Sequence, residues 1–498
     1  MSDGRLAAAR TALGLVALLT AVGGVARFVA LGNQSFWVDE TVTAELVAGS
    51  FGELLSALPT SESTPPLYYL LAWGWANVLG SGEAALRSLS AVLGTAMVPV
   101  VFAAGRELVS RGTGLLAAAL AAVSPLLVWY SQEARAYALF AFLGALSLAF
   151  FARAWGTGSS RALWSWAAAS ALALLTHYFA VFLVAGEAAL LLYRRRQRVA
   201  YLAAGAVAAV GGALLPLAAY QATHASSGWI RSVSMRLRIE ETAGQLLLPS
   251  KPSIWAGAGV PEGAPAAWPL GLLLLAGAAA VALVLRRGRE REGAAISLGL
   301  GVTAVAAPLV LALVASAAAR GRGDVFLFRN VLCAWPALTI AVAAGLTAPR
   351  IGRFGSLLGA GLVAASAVVL GVNAATPHLQ RDDWRRVAPQ AAAPGRAVVL
   401  SPSWQVAGLE HYAGELVPLG GATAVDEIAV VSRRWSPSYS PTIASIAPPS
   451  PFAEVESQTI QNWRLTVYRA PTALRVSSER LGVTPRGASY VILERRNS

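Results

Sequence analysis

The sequence predicts a polytopic, all-α membrane domain followed by a small extracytoplasmic α/β domain. Of the 498 residues, 56% are hydrophobic and only 13% are charged, whereas about a quarter of the residues of a soluble domain are charged. Apolar runs of about 20 residues, the length that crosses a bilayer as a helix, recur through the first three quarters of the chain. The remaining tail has charged residues, prolines and short β-type runs instead.

About eleven apolar runs are long enough to form membrane-spanning helices. They are predicted at residues 11–31, 84–105, 113–130, 136–154, 161–176, 178–193, 199–220, 266–285, 294–319, 330–348 and 354–373. The run 161–193 is too long for one helix of ordinary tilt, so we divide it at Thr176 and His177. The first run is predicted to be a retained span and not a cleaved signal peptide, because it is long and many similar runs follow it.

Arginine clusters in the short loops predict the orientation of the chain, because short cytoplasmic loops collect Lys and Arg. With the N-terminus inside, the clusters at 194–198, 286–291 and 350–353 all fall on the inner side. This agreement depends on the division at His177. The sequence therefore predicts a multi-pass protein of the cytoplasmic (inner) membrane, with its N-terminus inside and its C-terminal domain outside.

The basic residues and the single cysteine limit the possible partners and bonds. The net charge is +13, but the arginines lie in short clusters between apolar runs and do not form one patch, which excludes nucleic acid as a partner. Membrane lipid is the expected partner of the apolar surface. Cys333 has no second cysteine with which to form an intramolecular disulfide.

The first outer loop, residues 32–83, contains two segments that read as helices lying in the membrane interface. Thr43 to Leu58 has apolar residues at helical spacing, and Pro66 to Leu79 carries aromatic residues, including Tyr68 and Tyr69. The alternative interpretation of this loop is a re-entrant segment or a further span. We assign it to a transmembrane domain that covers residues 1–376.

The tail, residues 377–498, is predicted to be a soluble α/β domain. Its β-type runs lie at 397–401, 427–432, 463–468 and 489–494. A Pro- and Ser-rich stretch at 436–451 is predicted to form a loop.

Ionisable residues are rare inside the predicted spans but gather at their outer ends. The gathered residues are Asp39, Glu40, Glu133, Arg135, His177, Arg320, Arg322, Asp324 and Arg329. Carboxylates beside arginines can activate a hydroxyl and hold an anionic phosphate in one place. A proton-coupled transporter would instead place its charges near the middle of the bilayer.

The acidic residues and the short turn each have a structural interpretation as well. Asp39 and Glu40 could cap the helix that follows them, because acidic residues stabilise helix N-termini. The turn from Tyr130 to Tyr137 contains Glu133 and Arg135, which could form an ion pair that closes a helical hairpin.

The remaining basic candidates also leave two interpretations open. His177 is a single histidine at a tight apolar turn and could be a hydrogen-bonded structural residue. Arg320 and Arg322 could anchor to lipid headgroups, or they could bind a phosphate, for which arginine is the preferred bidentate ligand. Arg329 lies at a predicted helix entrance, where headgroup anchoring is a weaker explanation.

Taken in order along the chain, these motifs resemble one family of membrane glycosyltransferases. The motifs are Phe36-Trp37-Val38-Asp39-Glu40, Thr64-Pro65-Pro66 through Leu71, Leu86-Arg87 to Ser90, Ser124-Pro125, Trp129 to Tyr137, Thr176-His177-Tyr178-Phe179, Phe328-Arg329-Asn330 leading to Pro336, and Asp383-Trp384-Arg385. The chain resembles the bacterial branch of the protein mannosyltransferase and lipid A aminoarabinose transferase superfamily, which are GT-C fold glycosyltransferases of the family 39 type.

The resemblance implies a role for each matching residue. Asp39 is the implied catalytic base, and Glu40 would orient it or the substrate. Glu133 and Arg135 match the second outer-loop motif of the family, and Arg329 matches an arginine that is usually followed by an aromatic residue. The chain departs from the family in two places: Asn330 replaces that aromatic residue, and Ser63 and Thr64 stand where relatives commonly carry a Lys or His.

The implied reaction is transfer of a mannose- or pentose-type sugar from a polyprenyl monophosphate to a hydroxyl of a glycan, lipid or protein acceptor, with inversion. Asp39 would remove the acceptor proton while arginines hold the phosphate. Tyr137 and His177 are further substrate-binding candidates, and Tyr68, Tyr69, Arg320 and Arg322 are weaker ones. The sequence identifies no cofactor with certainty. A divalent metal is possible, but no pair of His or carboxylate residues at ligand spacing demands one.

Two other classes of function remain open at this stage. A transporter or flippase for a lipid-linked sugar would place Asp39 and Glu133 on opposite sides of a through-going cavity. A non-catalytic cell-envelope assembly protein would keep the two acidic clusters apart.

Overall fold

The computed structural model describes residues 2–224, 230, 233–248, 268–318, 324–393, 395–401, 403–418, 423–433, 448, 450–476 and 491–495. Two compact units are present. The described residues of the first unit lie within 1–31, 46–252 and 265–372, and those of the second lie within 32–45 and 373–498. The second unit therefore includes the segment that precedes and contains Asp39.

The first unit is helical. Its helices, including α2, which it shares with the second unit, are α1 Ser2–Phe28, α2 Val38–Ala48, α3 Phe51–Ser61, α4 Leu67–Leu79, α5 Glu83–Leu108, α6 Arg111–Val123, α7 Pro125–Ser131, α8 Tyr137–Thr157, α9 Ser160–Thr176, α10 Ala180–Arg194, α11 Arg198–His224, α12 Met235–Leu247, α13 Trp268–Leu285, α14 Gly288–Ala317, α15 Trp335–Leu346 and α16 Gly352–Ala375. A 3₁₀ segment, Phe328–Ala334, leads into α15.

A helix is present at each of the eleven predicted spans. Within the described ranges, seven helical segments are long and apolar enough to cross a membrane, and an eighth is obtained if the bent pair α6–α7 is one span. The helices α9 and α10 are short, with 17 and 15 residues, and they meet at His177 as the sequence predicted. The chain is thus a polytopic helical membrane protein.

The bend between α6 and α7 is 55° and has a local cause. Pro125 has no backbone N–H and therefore cannot continue the hydrogen bonds of α6. Arg27 of α1, which is fully buried, donates to the carbonyls of Ala121 and Ala122 at 2.9 and 3.0 Å and to the hydroxyl of Ser131 at 3.2 Å. Arg27 thus donates hydrogen bonds to carbonyl oxygens near the bend.

The arginine cluster at 194–198, which was predicted to lie inside, is at one end of α8. Arg195 donates to the carbonyl of Trp155 near the C-terminal end of α8, and Arg194 pairs with Glu292 of α14 at 2.5 Å. The opposite end of α8 begins at Tyr137, beside Arg329. Because α8 has 21 residues and a helix rises 1.5 Å per residue, about 31 Å separates its two ends.

The first outer loop differs from the prediction in one respect. Thr43 to Leu58 was expected to form one helix, but the chain breaks at Gly49 and Ser50 into α2 and α3. The break has a local cause: Ser50 accepts a hydrogen bond from the backbone of Glu53, and Glu53 accepts one from the backbone of Ser50. This capping box begins a new helix.

The second unit contains a six-stranded sheet in the order β2-β6-β1-β3-β5-β4. Its strands are β1 Arg396–Ser401, β2 Leu416–Pro418, β3 Thr423–Arg433, β4 Ala453–Ile460, β5 Trp463–Val476 and β6 Val491–Arg495, and its helices are α17 Trp384–Ala391 and α18 Val406–Ala413. β1 and β3 are parallel, and the other pairs are antiparallel. Trp384 of α17 and Trp463 of β5 are fully buried in a core that also includes Leu409 of α18.

The four predicted β-type runs fall on β1, β3, β5 and β6, whereas β2 and β4 were missed. β2 has only three residues. β4 is an edge strand that is exposed along most of its length, so it lacks the hydrophobic alternation that marks a half-buried strand. Most of the predicted loop 436–451 lies outside the described residues.

Candidate functional site

A cluster of charged and aromatic side chains lies in the first unit where the turn between α7 and α8 meets the end of α3. Arg135 of that turn donates to both carboxylate oxygens of Glu62, at 2.5 and 2.8 Å. Glu62 follows the last residue of α3. Both side chains are almost fully buried. This is a bidentate guanidinium–carboxylate pair, the strongest geometry that such a pair can adopt.

Tyr69 and Tyr68, the weaker candidates from the sequence, lie at the start of α4. The guanidinium of Arg135 is 5.7 Å from the centre of the Tyr69 ring, and the Tyr69 hydroxyl is hydrogen-bonded to that of Thr64 at 3.1 Å. The Tyr68 hydroxyl is hydrogen-bonded to Ser90 of α5 at 3.2 Å. Tyr69 is thus in contact with the predicted site residue Arg135.

Arg329 reaches the same region from a distant part of the chain. It belongs to the 3₁₀ segment before α15, and its guanidinium lies 5.4 Å from the centre of the Tyr137 ring. Tyr137 packs against Tyr130 with ring centres 4.9 Å apart. Arg135 and Arg329 therefore lie next to the same short turn, from elements that are about 190 residues apart in the sequence.

His177 lies in the turn between α9 and α10 and is buried beside this group. Its ring stacks on Phe140 with centres 4.4 Å apart, and its Nδ1 accepts a hydrogen bond from the backbone of Phe179 at 3.2 Å. Burial, with a further contribution from the charge of Arg329, lowers the pKa of His177 to about 3, although a hydrogen bond with Asn330 acts in the opposite direction. His177 is therefore neutral near pH 7.

Glu133 is buried in the turn that carries Arg135. The neighbouring Gln132 donates to the carbonyls of Ala26, Arg27 and Val29. These bonds attach the turn to the end of α1. Connected elements of one unit thus carry five of the predicted site residues, which are Glu133, Arg135, Tyr137, His177 and Arg329.

Asp39 and Glu40 lie in the first turn of α2, within the second unit. Asp39 is half-buried. Glu40 is fully buried, and its Oε2 accepts a hydrogen bond from the backbone N–H of Trp37 at 3.3 Å. Glu40 thus makes the capping interaction that the sequence offered as its structural interpretation.

Three polar residues that the sequence analysis did not select also support the cluster. Glu62 was missed because nothing in the sequence links it to Arg135, although it is an acidic residue close to the Pro65-Pro66 motif. Gln221 of α11 donates to the carbonyl of Thr64 at 3.2 Å, and its Oε1 accepts from Tyr178 at 2.7 Å. Gln221 therefore connects the segment next to Glu62 with the turn that contains His177.

The third missed residue is Arg238 of α12. It donates to both carboxylate oxygens of Asp324, at 2.6 and 2.8 Å. Burial by itself raises the pKa of the Asp324 carboxyl, but the hydrogen bonds and charge of Arg238 outweigh this and hold it below its usual value. The pair fixes the chain five residues before Arg329.

Arg320 and Arg322 lie outside the described residues. Across the described part of the chain, no group of three or more His, Cys, Asp or Glu side chains is arranged to hold a metal ion. The described cluster instead offers two guanidinium groups, phenol hydroxyls and a neutral imidazole, which are groups that can bind a phosphate and the hydroxyls of a sugar.

The chain is similar to one known family over part of its length. The family model described as dolichyl-phosphate-mannose-protein mannosyltransferase matches residues 63–218. This range includes Arg135, Tyr137 and His177. No curated protein sequence matches the chain.

Solved structures with a similar fold are also known. ArnT from Cupriavidus metallidurans, in a crystal structure with bound undecaprenyl phosphate, has 14% identity and a TM-score of 0.52, over 91% of this chain and 98% of ArnT. The archaeal oligosaccharyltransferase AglB from Archaeoglobus fulgidus, in complex with an inhibitory peptide and a dolichol-phosphate, has 12% identity and a TM-score of 0.48, over 76% of this chain and 57% of AglB. The mycobacterial arabinofuranosyltransferase AftD has 15% identity and a TM-score of 0.43, over 91% of this chain and 41% of AftD. The chain thus spans little more than half the length of AglB.

Proposed function

We propose, from the GT-C glycosyltransferase fold of this chain, that it transfers a sugar from a polyprenyl-phosphate donor to an acceptor hydroxyl at the outer face of the cytoplasmic membrane. The sugar is of the mannose or pentose type, and the acceptor is a glycan, a lipid or a protein. Asp39 acts as the general base, and the anomeric configuration is inverted.

The observation that carries this proposal is the convergence of Arg135 and Arg329 on one turn. A phosphate that leaves a sugar gains negative charge in the transition state, and guanidinium groups that are already in place stabilise that charge. The two arginines come from widely separated segments, yet both lie next to Tyr137 or its turn. The undecaprenyl phosphate bound to ArnT, a protein of the same fold, supports a lipid phosphate as the ligand.

Within this pair we assign the main phosphate contact to Arg329. Glu62 holds the guanidinium of Arg135 in place through two hydrogen bonds. Arg329 lies over the face of Tyr137, and its charge adds to burial, the larger cause, in lowering the pKa of His177. Arg135 would contribute positive electrostatic potential at the phosphate, and Glu62 would fix the orientation of the Arg135 guanidinium.

Neutral His177 and the tyrosines suit the recognition of the sugar. An imidazole without charge can both donate and accept a hydrogen bond, and it does not add a further positive charge beside Arg135 and Arg329. Tyr69 provides a phenol group beside Arg135, and Tyr68 packs against Tyr69. We propose these groups as contacts for the sugar hydroxyls.

The proposed base differs in character from these groups. Asp39 is half-buried in the first turn of α2. A charged carboxylate can accept the acceptor's proton as the new glycosidic bond forms. Glu40, which is buried against the backbone of Trp37, would orient Asp39 and not react itself.

Transfer of labelled sugar tests this proposal directly. Purified protein would be given synthetic polyprenyl-phosphate mannose or polyprenyl-phosphate pentose, with cell envelopes of a strain lacking the gene as the source of acceptor. We expect the wild type to label the envelope with one of the two sugars, and Asp39→Asn to remain folded but to lose transfer. Glu45→Gln, which changes an exposed carboxylate of the same helix, is the matched control and should remain active. Wild-type turnover by Asp39→Asn would disprove the assignment of the base.

A further inference from the structure

The segment that leads to Asp39 has no regular secondary structure of its own. Residues 33–37 lie between α1 and α2, and Ser35, Phe36 and Trp37 are buried. Buried backbone N–H and C=O groups need hydrogen-bond partners, because they cannot be solvated by water. The partners of this segment therefore determine where α2, and with it Asp39, begins.

Many of these partners come from the C-terminal part of the same unit. Arg385 of α17 donates to the carbonyls of Gly32 and Asn33 at 3.1 and 2.6 Å. Ser35 donates to the carbonyl of Asp382 at 2.5 Å and accepts from the backbone N–H of Trp384 at 2.9 Å. These bonds fix the segment from Gly32 to Ser35 against the start of α17.

The last of these contacts lies three residues before Asp39. The backbone N–H of Phe36 donates to the hydroxyl of Tyr412 in α18 at 2.7 Å. The Phe36 ring also packs edge-on against His411, with centres 5.5 Å apart. Tyr412 and His411 thus hold the residue from which the chain turns into α2.

A buried ion pair connects these contacts to the sheet. Arg433, the last residue of β3, donates to both oxygens of Asp382 at 3.1 and 3.0 Å, and both side chains are buried. The guanidinium lies between the rings of Trp404 and Trp463, at 5.7 and 5.6 Å. Asp382, whose carbonyl accepts from Ser35, is therefore attached to the core of the sheet.

We infer that the C-terminal α/β part of this chain positions the catalytic carboxylate Asp39, with Tyr412 contacting the chain at Phe36, three residues before it. One connected path runs from the sheet through Arg433 and Asp382 to Ser35. Tyr412 provides a second connection, at Phe36. This inference rests on the proposed function of Asp39. It assigns Tyr412, Ser35 and Arg433 as positioning residues, which act on the reaction through the backbone of residues 35–39.

The consequence for catalysis follows from how strictly a general base must be placed. A displacement of about 1 Å can reduce a rate on the order of a hundredfold. Tyr412→Phe removes the hydroxyl that accepts a hydrogen bond from the backbone of Phe36 and leaves the ring in place. The segment before Asp39 should therefore shift only partly. We expect kcat to fall about tenfold, with the KM for the lipid donor unchanged, because the proposed donor contacts belong to the other unit.

The experiment compares Tyr412→Phe with Tyr468→Phe in the transfer assay with synthetic polyprenyl-phosphate sugar. Tyr468 lies on β5 in the same unit and packs against a different group of buried residues, so its variant should retain the kcat of the wild type. Ser35→Ala is a second test and should lower kcat in the same way as Tyr412→Phe. The melting temperature of each variant is measured, so that unfolding can be distinguished from misplacement of Asp39.

The outcomes separate this inference from the function on which it rests. If Asp39→Asn is inactive while Tyr412→Phe and Ser35→Ala both keep the wild-type kcat, the positioning role is overturned and the proposed function stands. A rise in donor KM in both variants with kcat unchanged would also overturn it. Activity in Asp39→Asn would overturn both. A selective fall in kcat, absent from Tyr468→Phe, supports the inference.

Discussion

Arg135 donates to both carboxylate oxygens of Glu62, at 2.5 and 2.8 Å, although 73 residues separate the two in the sequence. The pair joins the turn before α8 to the end of α3. Because both side chains are nearly buried, water stabilises neither charge well, and each charge is stabilised by the other. Replacing Glu62 tests how far the two charges depend on each other.

Glu62→Gln should destabilise the protein without donor and increase the stabilisation that a lipid phosphate provides. Removing one partner of a buried ion pair typically costs about 3–5 kcal/mol, because the other charge is left uncompensated. A bound phosphate would replace that missing negative charge. We would measure melting temperatures with and without undecaprenyl phosphate, and we expect the larger shift in Glu62→Gln.

Glu292→Gln is the control for this prediction. Glu292 also pairs with an arginine, Arg194, but in an exposed position near the other end of α8, where ion pairs contribute little. It should leave the melting temperature and the phosphate-dependent shift almost unchanged. Equal shifts in Glu62→Gln and in the wild type would mean that the phosphate does not bind near Arg135.

Arg329→Lys should retain charge but lose much of the transfer activity. A lysine offers a point charge and cannot make the two parallel hydrogen bonds that a guanidinium makes to phosphate. We expect kcat/KM for the donor to fall by about ten- to a hundredfold, equivalent to roughly 1.4–2.8 kcal/mol of lost transition-state stabilisation. Arg236→Lys, at a highly exposed arginine, should have no effect. If Arg329→Lys matched that control, Arg320 or Arg322 would become the better candidates for the phosphate ligand.

The stability of the protein should depend on His177 as the pH falls. The pKa of His177 is lowered to about 3 in the folded protein by burial and by Arg329, whereas an unfolded histidine titrates near 6.5. The unfolded state therefore binds a proton first, so the stability linked to neutral His177 is complete above about pH 6.5 and is lost as the pH falls towards 3.

Replacing His177 removes this titration. The melting temperature of His177→Gln relative to the wild type should therefore rise as the pH is lowered from 7 to 4, even if the variant is less stable at pH 7. Melting curves of both proteins in detergent at several pH values measure the difference. A difference that stays constant over this range would contradict the lowered pKa.

The orientation of the chain is the last prediction. A tag placed after Arg196 should be cytoplasmic, and one placed after Ser498 should be external, because the arginine clusters predict the inner side. The structure adds that Arg194 and Arg195 lie at the end of α8 that is opposite to Arg329. Accessibility of the two tags to a membrane-impermeant reagent in intact cells measures this. A cytoplasmic C-terminus would place the proposed site on the wrong face.

Much of the fold follows from local properties of the sequence. Apolar runs of helical length predicted most helices of the membrane unit, although not α12. The ordered motifs predicted the resemblance to GT-C glycosyltransferases, which the family match and the fold of ArnT confirm. The division at His177 was also correct, because α9 ends at Thr176 and α10 begins at Ala180. These features depend on periodicity and composition, which are encoded within a few turns of chain.

Local breaks and weak strands were harder to predict. The helix expected from Thr43 to Leu58 is interrupted by the capping box at Ser50, a specific hydrogen-bonding pattern that overrides the apolar periodicity. The edge strand β4 was missed because its exposed residues carry no hydrophobic alternation.

The sequence by itself determined which residues carry charge near the helix ends, and thus selected Asp39, Arg135, His177 and Arg329 as candidates. Only the tertiary structure decided their partners. It paired Arg135 with Glu62, stacked the buried His177 on Phe140 within the influence of the charge of Arg329, and attached the segment before Asp39 to Tyr412 and Asp382. The physical reason is that an ion pair or hydrogen bond depends on distance in space. Arg135 and Glu62 are 73 positions apart and Phe36 and Tyr412 are 376 apart, so no local pattern in the sequence shows that they pair.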